Sequence, residues 1–251
     1  MTNVPGASVE EVSDHALAML LTLARRLPTL DAAVRRGDWS HQLEPAPRRL
    51  RGQVLGLVGL GRIGTALARK AAGLGMRLIA HDPYVTESGP ATLVTLDALL
   101  RRSDYVSVHV PLLAETRGLI GARELSLMKP SAVLINVARG EVVDQAALTD
   151  ALVAGRLAGA GLDVLAHEPP ARDEALLKLA NVVLSPHAAH YSLESLEEVR
   201  QTAVEEVVRV LGGKPPRHPV NRLSRRPANP PDGQPAAERA AGSTSSAKRS
   251  S

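Results

Sequence analysis

Three glycines spaced as G-x-G-x-x-G, Gly59, Gly61 and Gly64, form the first pattern in this sequence that indicates chemistry. They directly follow the apolar run VLGLV, which predicts a strand, and directly precede a stretch of helical character. In that context glycines allow a tight turn and a close approach of the backbone to a pyrophosphate, whose charge is stabilised at a helix N-terminus. The motif alone is weak, because an ordinary glycine-rich turn has the same composition.

An acidic residue at a suitable distance strengthens this interpretation. Asp82 lies eighteen residues after Gly64, at the end of the second predicted strand, where a carboxylate accepts hydrogen bonds from the adenosine ribose of a dinucleotide. A carboxylate repels a ribose 2′-phosphate, and none of His81, Pro83 and Tyr84 is an arginine that could bind one. The sequence therefore predicts NAD rather than NADP. The alternative is that Asp82 only begins a turn with Pro83.

The elements that must position these residues alternate along the chain. Short apolar runs and helical stretches succeed one another, which predicts an α/β fold of the Rossmann type, a doubly wound parallel sheet covered on both faces. Apolar residues at helical spacing predict one amphipathic helix from Ser8 to Leu27, with Ser8 as its N-cap and Pro28 ending it. The predicted strands are 54–58, 78–80, 105–110, 132–137, 161–164 and 182–184, and the later predicted helices are 63–74, 96–101, 122–128, 145–154 and 193–211.

The composition is that of a soluble globular protein with an aliphatic core. Hydrophobic residues make up 44% and charged residues 22%, with no Phe and no Cys, so disulfides and thiolate chemistry are excluded. No apolar run is long enough to span a membrane and no signal peptide is evident, so we expect a cytoplasmic protein. Six cations and two anions in residues 222–251 account for the whole formal charge of +4. We expect this Pro-, Ala- and Ser-rich basic tail to be disordered, and nucleic acid to be an unlikely partner.

Six ordered segments together resemble one known family. They are TNVPGASVEEVSDHALAMLL, LRGQVLGLVGLGRIG, HVPLLAETRGLI, LMKPSAVLINVARGEVVD, GAGLDVLAHEPP and VVLSPHAAHYS, and they resemble the D-isomer-specific 2-hydroxyacid dehydrogenases along nearly the whole chain before the tail. The segment HAAHYS resembles most closely the branch that includes the C-terminal binding proteins, which are dehydrogenase-like corepressors. That branch usually has Trp at the position of His190, so no substrate class is carried over from it.

The resemblance implies a catalytic set of three residues. Arg139 would grip the carboxylate and keto oxygen of a 2-oxo acid, a task that suits the bidentate guanidinium. His187 would protonate the carbonyl oxygen as hydride arrives from the nicotinamide, and would act as base in the reverse direction. Glu168 would orient the imidazole and stabilise its protonated form. The resemblance implies no metal site.

The resemblance also implies further contacts with NAD. Arg62 and Ile63 would lie at the pyrophosphate, Pro111 and Thr116 near the adenine, and Val137, Ala138, Asp163 and His187 near the nicotinamide, with Asp163 at its carboxamide. For Pro111, a simple strand terminator is an equally good interpretation.

The resemblance divides the chain into three parts and leaves its function open between two classes. We expect an NAD-binding domain over residues 1–190, a helix over 191–221 that would return to a substrate domain, and the tail over 222–251. In the family a first, substrate-binding domain precedes TNVPG, so we expect the start to be internal to a longer reading frame and these residues alone to have little activity. We predict an NAD-dependent oxidoreductase acting on small 2-oxo and 2-hydroxy acids. The alternatives are an NAD-sensing regulatory module without turnover and a non-functional fragment.

We also expect a homodimer. The predicted helix from Ser8 to Leu27 is too apolar to lie exposed, and in the family this element joins two nucleotide-binding domains.

Overall fold

A single parallel sheet organises the part of the chain that the structure, a computed structural model, describes, which is residues 2–87 and 89–220. Seven strands lie within those ranges in the order β3-β2-β1-β4-β5-β6-β7, all pairs parallel. They are β1 (Val54–Val58), β2 (Arg77–His81), β3 (Thr92–Leu93), β4 (Tyr105–Val108), β5 (Val133–Asn136), β6 (Gly159–Leu162) and β7 (Val182–Leu184). The predicted doubly wound Rossmann fold is confirmed.

Helices cover both faces of this sheet. The first face packs against α1 and α3, and the second against α4, α5 and α6, each through its own aliphatic cluster. The α-helices within the described ranges are α1 (Val9–Ala24), α2 (Leu27–Arg35), α3 (Arg62–Gly73), α4 (Leu96–Arg102), α5 (Ala122–Leu127), α6 (Gln145–Val153) and α7 (Leu193–Leu211), and short 3-10 helices span Gly140–Val142 and Ala175–Lys178.

The strand order reverses between β1 and β4, which creates the crevice that concerns function. From β1 the chain winds to β2 and β3 on one side, then returns to place β4 on the other side of β1. In open α/β sheets, ligands bind in the crevice outside the carboxyl ends of the strands at such a reversal. The glycine turn after β1 and the loop after β4 meet there, with the N–H of His109 donating to the carbonyl of Val58 at 2.8 Å.

The N-terminal helix differs from its prediction. It ends at Ala24, and a second helix begins at Leu27 with Pro28 in its first turn. Proline is tolerated at that position because the N–H that it lacks has no partner within a helix. Pro28 therefore starts a helix rather than stopping one. Ser8 is the N-cap residue of α1 as predicted, but it has a φ of 64° and its side chain makes no cap hydrogen bond.

The apolar face of α1 is buried within the chain itself. Ala16, Met19 and Leu20 are at most 3% exposed and belong to the cluster that covers β1 and β5. Gly161 in β6 leaves the room for this approach, since a Cβ there would lie 3.0 Å from the Cβ of Met19. The exposed apolar face on which the expectation of a dimer rested is therefore not present in α1.

Exposed apolar residues lie instead on α2, on the loop after it, and on α7. Trp39, in that loop, is 90% exposed. On α7, whose N-cap Ser192 accepts from the N–H of Ser195, only Ser195 and Glu206 are buried. The large exposed apolar residues are Leu27, Val34 and Trp39 in the first region, and Leu193, Val199, Val204, Val207, Val208, Val210 and Leu211 on α7.

The two ends of the described chain meet beside α7. Thr2 forms an antiparallel bridge with Pro219, and the N–H of Asn3 donates to the carbonyl of His218 at 3.3 Å. Among the helices described here, none has the length and apolarity that crossing a bilayer requires. The expected disorder of the tail, 222–251, concerns residues outside the described ranges.

Candidate functional site

The turn from β1 to α3 has the shape of an anion-binding cradle. Gly59 has a φ of +94°, which favours glycine, and a Cβ at Gly64 would lie 2.3 Å from the carbonyl oxygen of Gly59. Gly61 is the N-cap of α3, and a Cβ added to it would meet no described atom within 4 Å, so that side of the turn is open. Because the first N–H groups of a helix have no partner within it, this open turn offers donors to a phosphate.

Asp82 follows β2 directly, and its carboxylate accepts hydrogen bonds from two turns. Oδ2 accepts from the N–H of Leu60 in the glycine turn at 2.8 Å, and Oδ1 accepts from the N–H of Tyr84 at 2.9 Å. A carboxylate oxygen can accept more than one hydrogen bond. Asp82 therefore closes the turn through Pro83 and keeps acceptor capacity for a ribose, so the two interpretations from the sequence are compatible.

A histidine that the sequence did not single out lies beside the glycine turn. A Cβ on Gly59 would be 3.0 Å from the carbonyl carbon of His109, whose Nε2 is 2.9 Å from the buried hydroxyl of Ser107. Its Nδ1 is buried with no hydrogen-bond partner among the described residues. Burial lowers the pKa of His109 to about 4, so the imidazole is neutral at pH 7 and places no charge under the site.

The other residues assigned to NAD by resemblance lie around the same crevice. Arg62 is exposed at the start of α3, while the side chain of Ile63 packs against the first core cluster. Thr116 donates to the carbonyl of Pro111 at 2.6 Å, so these two residues form one turn after β4. Val137 is buried behind the end of β5, and Ala138 is half-buried beside it.

Arg139 follows β5, on a loop that a buried asparagine holds. Asn136, 1% exposed, donates through Nδ2 to the carbonyl of Arg139 at 2.9 Å and accepts from the N–H of Ala138 at 3.0 Å. The guanidinium is exposed, and its Nη1 donates to the carbonyl of Ala138 at 2.6 Å. The only polar residue of the run VLIN is therefore a positioning residue, and its place in an apolar strand was the signal that could have identified it.

Close backbone contact joins the Arg139 loop to the loop that carries Glu168. A Cβ on Gly140 would lie 2.0 Å from both the carbonyl carbon and the oxygen of Leu165. The N–H of Leu165 in turn donates to Oε1 of Glu168 at 3.0 Å. The loops after β5 and β6 therefore lie side by side at the carboxyl edge of the sheet, too close for a side chain at position 140 to fit between them.

Glu168 and His187 form a hydrogen-bonded pair at this edge. Nδ1 of His187 lies 2.7 Å from Oε2 of Glu168, with side-chain exposures of 43% and 38%. Desolvation opposes ionisation of the carboxyl, but the hydrogen bonds from His187 and from the N–H of Leu165 outweigh it and hold the pKa of Glu168 below its usual value. The carboxylate is thus ionised at neutral pH and fixes Nδ1 as the protonated nitrogen, which leaves Nε2 free to meet a substrate.

His187 has an unusual backbone conformation. Its φ of 54° lies in the left-handed region, which costs a residue other than glycine on the order of 1–3 kcal/mol. The N–H of His187 donates to the carbonyl of Asp163 at 2.8 Å, and the carboxylate of Asp163 accepts the N–H groups of Ala188 and Ala189, both at 2.9 Å. Asp163, 1% exposed at its side chain, therefore holds the loop that presents His187.

The surroundings of the pair include a second histidine and a cavity. The ring of His190 stands edge-on to that of His187, with centroids 6.3 Å apart. A cavity of about 440 Å³ opens beside the pair and is mostly apolar. Its lining includes Leu165, Glu168, Pro170, Leu177, Leu184 and His187.

These residues fit the dinucleotide that the sequence predicted. The open helix N-terminus, the carboxylate beside it and the neutral His109 suit a pyrophosphate and a ribose diol, and His187 lies at the same edge of the sheet.

Comparison with known proteins identifies the family. The model of the D-isomer specific 2-hydroxyacid dehydrogenase NAD-binding domain matches residues 17–189. The chain is 44% identical to a glyoxylate reductase of Korarchaeum cryptofilum over 229 residues, which are 88% of this chain and 69% of that protein. It is 40% identical to a D-3-phosphoglycerate dehydrogenase of Archaeoglobus fulgidus over 233 residues, 91% of this chain and 44% of that protein.

A solved structure agrees with these relatives. The D-lactate dehydrogenase of Lactobacillus jensenii, crystallised with NAD⁺, superimposes on this chain with a TM-score of 0.82 at 30% sequence identity. The match covers 88% of this chain and 71% of the chain of that enzyme. The relatives named here are all oxidoreductases. The fold, the nucleotide turn and these matches together establish that the chain belongs to the D-isomer-specific 2-hydroxyacid dehydrogenases, with an NAD-binding domain at residues 17–189.

Proposed function

We propose that the site transfers hydride between NAD(H) and a small 2-oxo or 2-hydroxy acid, with Arg139, Glu168 and His187 in the roles that the resemblance implies. The observation that carries the proposal is the 2.7 Å hydrogen bond between Nδ1 of His187 and Oε2 of Glu168. A histidine oriented by an ionised carboxylate is the usual form of a general acid and base. The three residues follow neighbouring strands at one edge of the sheet.

Each residue has one task in the reduction of a 2-oxo acid. Arg139 binds the carboxylate and polarises the keto oxygen. NADH, when bound, supplies the hydride. His187, protonated on both nitrogens, gives its Nε2 proton to the carbonyl oxygen, and Glu168 stabilises the positive charge that the imidazolium carries before that step. In the oxidation of a 2-hydroxy acid, neutral His187 takes the hydroxyl proton back at Nε2.

Asp82 and the glycine turn would bind the cofactor. Asp82 would accept the hydroxyls of the adenosine ribose, and the first amides of α3 would bind the pyrophosphate. Asp163 has a dual task in this proposal, since a carboxylate that already holds the loop of Ala188 and Ala189 would also meet the carboxamide through its remaining acceptor capacity.

The relatives indicate which substrates to test first. Their names point to glyoxylate, to pyruvate and to the 2-oxo acid that corresponds to 3-phosphoglycerate. Each would be mixed with the protein and NADH under single-turnover conditions, where slow chemistry is still detected by loss of NADH absorbance and, for the last two substrates, whose products are chiral, by chiral analysis of the product. We expect a D-2-hydroxy acid, and His187→Ala should slow its formation on the order of 10²- to 10⁴-fold while NADH still binds.

Two outcomes would contradict the proposal. If His187→Ala leaves the rate unchanged, the proton comes from elsewhere. If NADH binds but no 2-oxo acid is reduced by the parent protein, the regulatory module without turnover becomes the better account.

We further propose that the protein is a homodimer whose interface includes α2 and the loop after it. Leu27, Val34 and Trp39 are 52%, 47% and 90% exposed on this region. A cavity of about 670 Å³ adjoins it at the amino edge of the sheet, with Pro28, Pro45 and Leu157 in its wall. Several large exposed apolar side chains in one short segment are typical of association sites.

A further inference from the structure

We propose that His15 and Ser185 form, with Asp163, a hydrogen-bonded support that fixes the backbone of His187, which makes His15 and Ser185 positioning residues for proton transfer. This inference rests on the proposed role of His187. It links helix α1, at the start of the described chain, to the loop after β7, 170 residues away in sequence.

The support begins at the carboxylate of Asp163. Oδ1 accepts the N–H of Ala188 at 2.9 Å and the hydroxyl of Ser185, and Oδ2 accepts the N–H of Ala189 at 2.9 Å. The carbonyl of the same residue accepts the N–H of His187. One buried aspartate therefore binds the loop on both sides of His187, and the carboxylate depends on Ser185 for one of its donors.

His15 completes the chain of hydrogen bonds. Its Nε2 lies 2.8 Å from Oγ of Ser185 and 3.6 Å from Oδ1 of Asp163. Since the Ser185 hydroxyl gives its proton to the carboxylate, Oγ must accept from His15, so the Nε2 of His15 carries a hydrogen. The imidazole thus acts as a donor that orients the hydroxyl toward Asp163.

His15 lies on α1, a helix that other side-chain contacts hold in place. On the same helix, Glu10 and Asp14 bind Lys70 of α3 at 2.8 and 2.7 Å, and Glu11 accepts the hydroxyl of Ser192 at 2.8 Å. The helix that presents the phosphate-binding turn and the loop that presents His187 are therefore attached to the same helix. A left-handed residue such as His187 persists only where its surroundings hold it, and this network supplies the restraint.

Two pairs of variants separate the hydrogen bonds from packing. His15→Phe and Ser185→Ala remove the donor and the hydroxyl, whereas His15→Gln and Ser185→Thr retain them. His218→Phe, at an exposed histidine after α7, is the matched control. Hydrogen exchange would be followed by mass spectrometry in the peptides that cover 185–191 and 54–73, the second serving as a check that the nucleotide-binding half remains folded.

We expect His15→Phe and Ser185→Ala to accelerate exchange at the amides of Ala188 and Ala189 about 5- to 10-fold, the effect of one lost hydrogen bond. The variants that retain the donor or the hydroxyl and the control should match the parent protein, and exchange in 54–73 should not change.

In His15→Phe and Ser185→Ala, reduction of a 2-oxo acid should show a lower kcat with little change in KM for NADH. In a His187→Ala background, His15→Phe should slow the reaction no further, because the group that it positions is gone.

The exchange data do not depend on turnover, so the two proposals can fail separately. Faster exchange without any reduction by the parent protein would leave the support in place and remove the proposed reaction. Unchanged exchange in 185–191 for both His15→Phe and Ser185→Ala would overturn the support. The support would also be overturned if His15→Phe slowed the reaction further in the His187→Ala background. Equal exchange rates at 185–191 in Ser185→Ala and Ser185→Thr would overturn it as well.

Discussion

Asp82 is the residue on which we expect the choice of cofactor to depend. Its carboxylate accepts the N–H of Leu60 in the glycine turn and has capacity left for ribose hydroxyls. We predict that the parent protein binds NADH more tightly than NADPH, and that Asp82→Ala weakens NADH binding roughly 10- to 100-fold, as expected for hydrogen bonds to a charged group. Titration of the fluorescence of both nucleotides measures this, and equal affinities for the parent protein would contradict the assignment.

Glu168 should affect chemistry more than binding. A glutamine at this position keeps the hydrogen bond to Nδ1 of His187 but loses the charge that stabilises the imidazolium. We predict that Glu168→Gln lowers the turnover of 2-oxo acids about 10- to 100-fold and leaves NADH affinity within about twofold. Glu141→Gln, at a carboxylate in the same region that pairs with Arg117 at 3.8 Å, is the control. An equal loss in both variants would argue against a specific role for Glu168.

His109 should make stability depend on pH. Its folded pKa of about 4 lies below the 6.5 of the unfolded chain, so between these values the unfolded state binds a proton that the native state does not. Stability is therefore full above about pH 6.5 and is lost as the pH falls toward 4, by about 3 kcal/mol in total. Urea unfolding at about pH 7.5 and pH 5 measures this, and His109→Asn should flatten the dependence. A slope unchanged by that substitution would show that another group is responsible.

At the scale of elements, the contact between the loops after β5 and β6 predicts an intolerant position. The Cβ of Gly140→Ala would overlap the backbone of Leu165, so both loops would have to move, at a cost of about 3 kcal/mol or more. Gly73→Ala, in a helix where the Cβ meets no described neighbour, should be neutral or stabilise by up to about 1 kcal/mol. Thermal unfolding compares the two, and similar melting temperatures for both variants would contradict the argument.

The elements also indicate how far sequence reasoning reaches. Alternating apolar runs located β1 and β7 to the residue because each is a short, uninterrupted block. β6 begins two residues earlier than predicted, at Gly159, because its two glycines and Ala160 carry little hydrophobic signal although all three are buried, the glycines against α1 and Ala160 in the second cluster. β3 was missed because two residues have no periodicity, and α2 because proline was interpreted only as a terminator.

The residues of the candidate site also differ in whether the sequence could identify them. Residues within one motif, such as those of the glycine turn, were found because their contacts are local. The pair of Glu168 and His187 was found only through the family resemblance, since nothing in the sequence links residues nineteen positions apart. The link from His15 to Ser185 was missed entirely, because it depends on how α1 packs across the sheet and leaves no pattern in the sequence.

At the scale of the whole molecule, we predict a concentration-dependent dimer formed through α2 and its loop. Val34→Glu should place a charge in that interface and yield a monomer in light scattering at micromolar concentration. Val210→Glu, at a valine of α7 that is 46% exposed against 47% for Val34, is the control and should leave the mass unchanged. A monomeric parent protein, or loss of the dimer in the α7 variant alone, would reject this interface.

The expectation of weak activity also belongs to this scale and stays a prediction. Arg139, Glu168 and His187 all retain exposure, and charged contacts lose most of their strength in water. Multiple-turnover rates of these 251 residues should therefore be low even where single-turnover chemistry is measurable. Rapid steady-state reduction of any 2-oxo acid would show that the exposed site is sufficient.

The exposed indole of Trp39 has an optical consequence. It is the sole tryptophan of the sequence, and in the isolated chain it is 90% open to solvent, so its emission should resemble that of the free amino acid in water. Burial against a second copy would shift that emission to shorter wavelength as the protein concentration rises. The molecule therefore contains an intrinsic fluorophore that distinguishes assembly from cofactor binding, which is read in the separate emission of the reduced nicotinamide.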